Sequence, residues 1–158
     1  MTGISPTLLK RGDLAPDFEA LDCRGQRIAL ADYRGKKKVV LFFFPRAFTP
    51  ACTLEVRNFR DNHVRITNAG AELIGVSVDK SEKNCRFAEA EGLQFRLIGD
   101  ESRVISEKYG VVWPVLRIDR RATFVIDQKG IIEEVIHHEV QVYRHLEDVL
   151  ERLGAETP

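Results

Sequence analysis

The sequence is short of net charge, of cysteine and of long apolar runs, and these shortages argue against several classes of function. Its 158 residues carry 24 Lys and Arg against 24 Asp and Glu, so the formal net charge is zero. That balance lacks the basic field that binding to a phosphate backbone needs, and we expect no nucleic-acid partner. The longest apolar run, VVLFFF, is far shorter than the roughly 20 residues that span a bilayer, and we expect no membrane partner.

The composition is that of one globular domain. Hydrophobic residues make up 44% and charged residues 30% of the chain, which suits a sizeable core under a charged surface. The first residues, MTGISPTLLKRGD, lack the long apolar core of a signal peptide. We therefore predict a single domain over residues 1–158 and a cytoplasmic protein.

Cysteine is scarce, with only Cys23, Cys52 and Cys85 in the chain. An odd number at wide spacings does not indicate a disulfide framework. Each cysteine is therefore expected to be either a packed small hydrophobe or a reactive thiol. Cys23 falls at a predicted turn and is interpreted as incidental.

The hydrophobic pattern predicts strands that alternate with helices. A hairpin with its turn at 24–26 comes first, and a second hairpin around 128–130 and a final helix, YRHLEDVLERLG, close the chain. Between the hairpins the predicted elements are the strand KVVLFFF, a helix over 53–69, the strand AELIGVSV, a helix from 81 to 92, the strand LQFRLIGD and a short helix from 102. This order predicts an α/β fold, thioredoxin-like, with a mixed central sheet flanked by helices and an N-terminal β-hairpin extension.

The segment PRAFTPACTLE places a cysteine where a buried strand turns into a helix. Pro50 suits the first position of that helix, which puts Cys52 in its first turn. The unpaired amides and the positive end of the helix dipole favour an ionised thiol there, so Cys52 is a candidate nucleophile. The hydroxyl of Thr49 is placed either to cap the helix or to hydrogen-bond a substrate oxygen.

Pro45, Thr49 and Cys52, spaced P-x-x-x-T-x-x-C after an aromatic-rich strand, resemble the active-site motif of peroxiredoxins, the thiol peroxidases. Three further segments look most like the bacterioferritin comigratory protein subgroup. They are CTLE followed by NFRD, the strand GVSVD, and RRATFVIDQKG. The resemblance runs from about Gly12 to Leu153. It implies a thioredoxin fold and the reduction of hydrogen peroxide or organic hydroperoxides.

The same resemblance implies roles for individual residues. Cys52 would be the peroxidatic cysteine that becomes a sulfenic acid, Thr49 would hydrogen-bond the peroxide and Pro45 would shield the pocket. The arginine that the family needs beside the thiolate matches Arg121. Glu55 matches an acidic position of the family, where it either orients an arginine or only places a favourable charge near the helix N-terminus. A fixed guanidinium favours the thiolate and holds a peroxide oxygen as charge moves onto the leaving group.

The neighbouring Arg120 should point to the opposite face of its strand and is interpreted as a solvated charge. The family's chemistry needs no metal, haem or flavin, so no cofactor is expected. His137 and His138 alternate across a predicted strand and His63 and His145 lie apart, which argues against a zinc site. Trp113 is interpreted as a packing residue.

The thiol that resolves the sulfenic acid is left open. The commonest resolving position of the subgroup, five residues after Cys52, is Arg57 here. Cys85 lies about one turn before another known position, so either Cys85 resolves Cys52 or an external thiol does, with a slight preference for the latter. Expected reductants are thioredoxin, glutaredoxin or a low-molecular-weight thiol, and the family includes monomers and homodimers.

Two other functions compete with the peroxidase. A thioredoxin-like disulfide oxidoreductase needs a Cys-x-x-Cys pair, which Thr49 breaks. A peroxide-sensing redox protein, which passes its oxidation to a partner, would use the same sulfenic acid and remains an alternative.

Overall fold

The computed structural model describes residues 9–137 and 142–154, with side chains described for 9–136 and 147–154. The strands are β1 (Glu19–Leu21), β2 (Arg27–Ala29), β3 (Lys38–Phe43), β4 (Ala71–Ser77), β5 (Arg96–Gly99), β6 (Ala122–Ile126) and β7 (Ile132–His137). The α-helices are α1 (Pro50–Asp61), α2 (His63–Asn68), α3 (Ser81–Glu91), α4 (Val104–Lys108) and α5 (Val142–Leu153), and a short 3₁₀ helix (Leu30–Tyr33) follows β2.

A five-stranded mixed sheet with the order β5-β4-β3-β6-β7 forms the centre of the fold. Strands β3, β4 and β5 are parallel, whereas β6 is antiparallel to β3 and β7 is antiparallel to β6. The N-terminal hairpin of β1 and β2 forms a separate two-stranded sheet. These observations confirm the predicted fold class, including the mixed sheet and the hairpin extension.

Apolar side chains cover both faces of the sheet, because β3 is apolar at every position after its first. On one face, Phe42 packs against Phe59 of α1 with ring centroids 4.6 Å apart, in a cluster that also contains residues of α3 and α5. On the other face, Phe43 packs against Tyr109 at 5.5 Å, in a cluster that includes residues of the hairpin and α4. Helices α1, α3 and α5 therefore share one face, and the hairpin and α4 share the other.

The helix predicted over 53–69 begins at Pro50, as the position of that proline predicts, but its continuity is wrong. It is interrupted at Asn62, which separates α1 from α2. The side-chain amide of Asn62 donates to the carbonyl of Asn58 at 2.9 Å, while its backbone N–H turns to Phe59 O. A side chain that takes the i−4 carbonyl competes with the helical backbone bond, which breaks the helix here.

The short helix α4 also begins later than predicted. Arg103 has φ 65° and ψ 17°, a left-handed conformation that a helix cannot contain, so α4 starts at Val104. No helix in the described ranges is long and apolar enough to cross a bilayer.

The hairpin turn binds the outer edge of the sheet at β5. Cys23 N–H donates to Leu97 O at 2.8 Å, and Arg96 donates to the Asp22 carboxylate at 2.9 Å. Burial acts to raise the pKa of Asp22, but hydrogen bonds from the Gln26 amide and from Arg96 outweigh it and lower that pKa. The hairpin thus covers part of a strand edge that would otherwise present unpaired backbone groups.

Gly99 lies where β5 passes the start of α3, and we predict that Gly99→Ala is destabilising. A Cβ at this position would lie 2.6 Å from Ser81 N and 2.7 Å from Asp79 O, which are backbone atoms that no rotamer change can move. We expect the free energy of unfolding to fall by about 1–3 kcal/mol in urea titrations. The exposed substitution Lys36→Ala, as the control, should change it by less than about 0.5 kcal/mol. Equal stability of the two variants would contradict this account.

Candidate active site

Cys52 lies at the corner between β3 and α1, as the sequence predicts. Phe44 N–H still bonds to Val76 O at 3.0 Å, which extends the strand pairing as far as the loop that follows. Pro50 begins the helix, and the amide of Thr53 makes a helical bond, to Thr49 O at 2.8 Å. In an α-helix the backbone N–H groups of the first turn have no partner within the helix and point out of its N-terminal end. The thiol of Cys52 lies in this first turn, so it is in the positive field of the helix.

The guanidinium of Arg121 contacts two side chains of α1, Glu55 and Cys52. Its Nη1 donates to Glu55 Oε1 at 2.7 Å, and its Nη2 lies 3.5 Å from Cys52 Sγ. Arg121 directly precedes β6, whose first residue pairs with Phe43 at the end of β3, so the sheet register carries the side chain to the start of α1. The structure thus brings together three residues that the sequence analysis assigned to one site.

This group is almost completely buried, since the exposed fractions are 0% for Cys52, 2% for Glu55 and 3% for Arg121. Burial acts to lower the pKa of the Arg121 guanidinium. The charges of Glu55 and Cys52 and the hydrogen bonds to both residues outweigh burial and raise that pKa, so the guanidinium stays charged. A buried charge requires paired, hydrogen-bonded partners, which the Glu55 carboxylate and the sulfur of Cys52 supply.

Thr49 occupies the N-cap position of α1, but its side chain does not cap the helix. Its hydroxyl donates to Arg46 O at 2.9 Å, within the loop that joins β3 to α1. Because a carbonyl only accepts, the proton of the hydroxyl is committed and its oxygen is left as an acceptor. Thr49 and Pro45 are both half-buried in this loop.

Arg120 makes a different contact from Arg121, and its half-buried side chain is packed on Trp113 as well as being partly solvated. Its guanidinium carbon lies 4.0 Å from the ring centroid of Trp113, a cation–π contact. Trp113 is thus a packing residue, as expected.

The loop before α1 is attached to the start of α3 by residues that the sequence analysis did not identify. The Asp79 carboxylate accepts from Ala47 N–H at 2.7 Å and is also bound by Lys83 at 3.1 Å. Phe48, which has φ 68°, packs on Phe87 with ring centroids 5.0 Å apart. A left-handed φ is costly for a phenylalanine, so these contacts hold the loop in a strained conformation.

Cys23 and Cys85 form a disulfide with Cα atoms 5.3 Å apart, and Cys52 remains a free thiol. The interpretation of Cys23 as incidental is therefore wrong, and Cys85 is bonded to Cys23 rather than to Cys52, the partner that the sequence analysis considered for it. The partners are 62 residues apart in sequence. The one available signal was arithmetic, because assigning Cys52 as a nucleophile leaves an even pair. A resolving role for Cys85 stays a prediction, and it requires this disulfide to open first.

Among the side chains that the structure describes, no group of three or more His, Cys, Asp or Glu could hold a metal ion. The side chains of His137, His138 and His145, which the sequence analysis considered for zinc, lie outside the described residues.

Comparison with known proteins gives consistent matches. The model of the AhpC/TSA family matches residues 11–135. Peroxiredoxin Bcp of Escherichia coli (strain K12) is 38% identical over 145 residues, which cover 84% of this chain and 92% of that protein. The chloroplastic peroxiredoxin Q of Triticum aestivum is 33% identical over 150 residues, covering 94% and 69%. The crystal structure of peroxidoxin BcpB from Mycobacterium tuberculosis superposes with a TM-score of 0.86 at 33% identity, covering 95% and 99%.

Removing the buried arginine should destabilise the protein far more than removing its neighbour. Arg121→Met leaves the Glu55 carboxylate without its guanidinium, and we expect a loss of about 3 kcal/mol of unfolding free energy in urea titrations. Arg120→Met, the matched control, loses a partly exposed cation–π contact and should cost about 1 kcal/mol or less. A smaller loss for Arg121→Met than for Arg120→Met would contradict the pairing described above.

Proposed function

The chain belongs to the AhpC/TSA family, as a peroxiredoxin of the bacterioferritin comigratory protein type, and from this premise we propose how its residues reduce peroxides. Members of this family are thiol-dependent peroxidases that act on hydrogen peroxide and organic hydroperoxides. The observation that carries the residue assignment is the contact between Arg121 Nη2 and Cys52 Sγ in a buried pocket. A guanidinium is held there against the one free thiol of the chain.

In the first step the Cys52 thiolate attacks the terminal oxygen of the hydroperoxide along the O–O bond. A sulfur–oxygen bond forms and the O–O bond breaks. Cys52 becomes a sulfenic acid, and the leaving alkoxide or hydroxide takes a proton to become alcohol or water. Sulfur loses two electrons and the peroxide gains them, so the step needs no cofactor.

Arg121 stabilises both ends of this reaction. Its positive charge favours the thiolate before attack, and its N–H groups face the place where negative charge develops on the peroxide. Glu55 acts through Arg121, because its carboxylate fixes the guanidinium at 2.7 Å and directs the second nitrogen at sulfur. Glu55 is thus a positioning residue, and Arg121 is a catalytic one.

Thr49 orients the peroxide through its acceptor side. Its hydroxyl proton is bound by Arg46 O, so the oxygen can accept the O–H of a hydroperoxide. Because the Thr49 oxygen accepts, the protonated oxygen of the substrate lies near Thr49. There it is within reach of the Cys52 thiolate, at the same end of α1. Pro45 stiffens the exit from β3 and limits water entry into the loop.

The sulfenic acid is resolved by an external thiol. Cys85 is bonded to Cys23, and Cys52 is completely buried, so the first turn of α1 must open before another thiol can reach it. The external thiol forms a mixed disulfide with Cys52 and releases water. A second thiol then restores the Cys52 thiol and leaves the reductant as a disulfide.

The proposed reductant is thioredoxin, glutaredoxin or a low-molecular-weight thiol, and the proposed location is the cytoplasm, since reducing compartments supply such thiols. Peroxidase assays with each reductant in turn identify the reductant, and cell fractionation tests the location. Recovery of the protein only outside the cytoplasmic fraction would overturn the proposed location.

Arg121→Lys should lower the second-order rate constant for peroxide by about 100-fold, because the ammonium cannot bind Glu55 and sulfur together. Arg120→Lys, which keeps the charge over Trp113, should stay within about twofold of the wild type. Stopped-flow measurement with hydrogen peroxide gives both constants. If both variants lost the same factor in this rate constant, the contact between Arg121 and Cys52 would not be the cause of the loss.

One equivalent of peroxide should add one oxygen to Cys52 and nothing to the other cysteines, as measured by intact mass spectrometry with a sulfenic-acid trap. Cys52→Ser should abolish this addition, and Cys85→Ser should leave it unchanged. A Cys52–Cys85 disulfide would instead establish an internal resolving cysteine. Peroxide loss that stops after one turnover with every reductant would favour the peroxide sensor over the enzyme.

A further inference from the structure

The Cys23–Cys85 disulfide passes around the outer edge of the central sheet. Cys23 lies in the hairpin turn, and the hairpin packs on the face of the sheet opposite to α3. Its N–H bonds to Leu97 O on β5, which is the edge strand. Cys85 belongs to α3 on the other face, so the covalent bond fastens the hairpin and α3 together across β5.

This disulfide is separate from the peroxidatic site. Cys52 contacts Arg121 at the start of β6, whereas Cys23 hydrogen-bonds to β5, and these strands are three positions apart in the sheet. At about 4.8 Å per strand, β5 and β6 are roughly 14 Å apart. Cys23 and Cys85 are bonded to each other, and Cys52 is bonded to neither of them.

The two cysteines of this bond are more exposed than Cys52. Cys23 and Cys85 are both half-buried, and Cys23 lines a cleft of about 110 Å³. Each cysteine is followed by an exposed arginine, Arg24 or Arg86. Positive charge beside a disulfide favours an attacking thiolate and a departing one, so this position suits thiol–disulfide exchange.

Helix α3 also supports the loop that carries the peroxidatic cysteine. Asp79, just before α3, binds Ala47 N–H at 2.7 Å, and Phe87 of α3 packs on Phe48 at 5.0 Å. A constraint on α3 is therefore a constraint on the strained loop before Cys52.

We propose that Cys23 and Cys85 form a second redox site, opened by a dithiol reductant, whose disulfide holds α3 and the Cys52 loop in the folded arrangement. One thiolate of the reductant attacks Cys23 Sγ, the Cys23–Cys85 bond breaks and Cys85 leaves as a thiolate that takes a proton. The second thiol of the reductant attacks the mixed disulfide and frees Cys23. The protein gains two electrons and two protons, and the reductant becomes a disulfide. The relevance of the Cys52 loop to catalysis rests on the proposed function, whereas the thiol–disulfide exchange at Cys23 and Cys85 does not.

The redox site is tested in Cys52→Ser, without peroxide, so that its outcome is independent of peroxidase activity. The protein is equilibrated in buffers of reduced and oxidised dithiothreitol and then alkylated, and mass spectrometry counts the free thiols. We expect a single reversible transition between no alkylated cysteine and two, with Cys23 and Cys85 bridged in the oxidised form. Full alkylation of both cysteines in every buffer would overturn the proposal, as would a disulfide that forms only when Cys52 is present.

The coupling to the loop is tested by hydrogen exchange in the same Cys52→Ser protein. Reduction of the disulfide should speed amide exchange in residues 46–54 by about tenfold, because a cross-link restrains local opening. Exchange in β6 should not change. The double variant Cys23→Ser/Cys52→Ser should exchange at the faster rate with or without dithiothreitol, which separates the effect of the bond from that of the reductant. Equal exchange of residues 46–54 in both redox states would overturn the coupling.

Discussion

The structure of the site depends on one buried cation. Arg121 is 3% exposed and cannot be placed there without partners for its charge, and α1 supplies the Glu55 carboxylate and the sulfur of Cys52. The same contacts therefore fasten α1 to Arg121 at the start of β6. In the proposed reaction, oxidation of Cys52 to a sulfenic acid alters one of these contacts, so the first turn of α1 loses part of its stabilisation when the sulfur must become accessible.

The two kinds of sulfur chemistry that we propose rest on two environments. Cys52 is completely buried, beside a loop in which Phe48 takes a left-handed φ. Cys23 and Cys85 are half-buried beside the edge strand of the sheet, and Cys23 lines a cleft. Because Asp79 and Phe87 join α3 to that loop, the disulfide and the buried site are mechanically connected.

Much of the fold could be predicted because its signals are local. The apolar run of β3, the alternation in the hairpins and Pro50 at the start of α1 each reflect the conformation of a few neighbouring residues. The predictions failed where a side chain changed the backbone. Asn62 ends α1 by bonding Asn58 O, and Arg103 delays α4 by its left-handed conformation. Neither residue excludes a helix by its type alone, so the pattern of apolar positions could not show these breaks.

The sequence by itself determined the order of the elements and the strand-to-helix corner, and it made Cys52 the candidate nucleophile, since these follow from short motifs and local periodicity. Only the tertiary structure decided which distant groups meet. Arg121 reaches Cys52 because β6 pairs with β3 in a particular register, and Arg120, one residue earlier, lies on Trp113 instead. Cys23 meets Cys85 because the hairpin and α3 lie on opposite faces beside the same edge strand. Such contacts depend on sheet order and register, which bring together residues that are far apart in the chain.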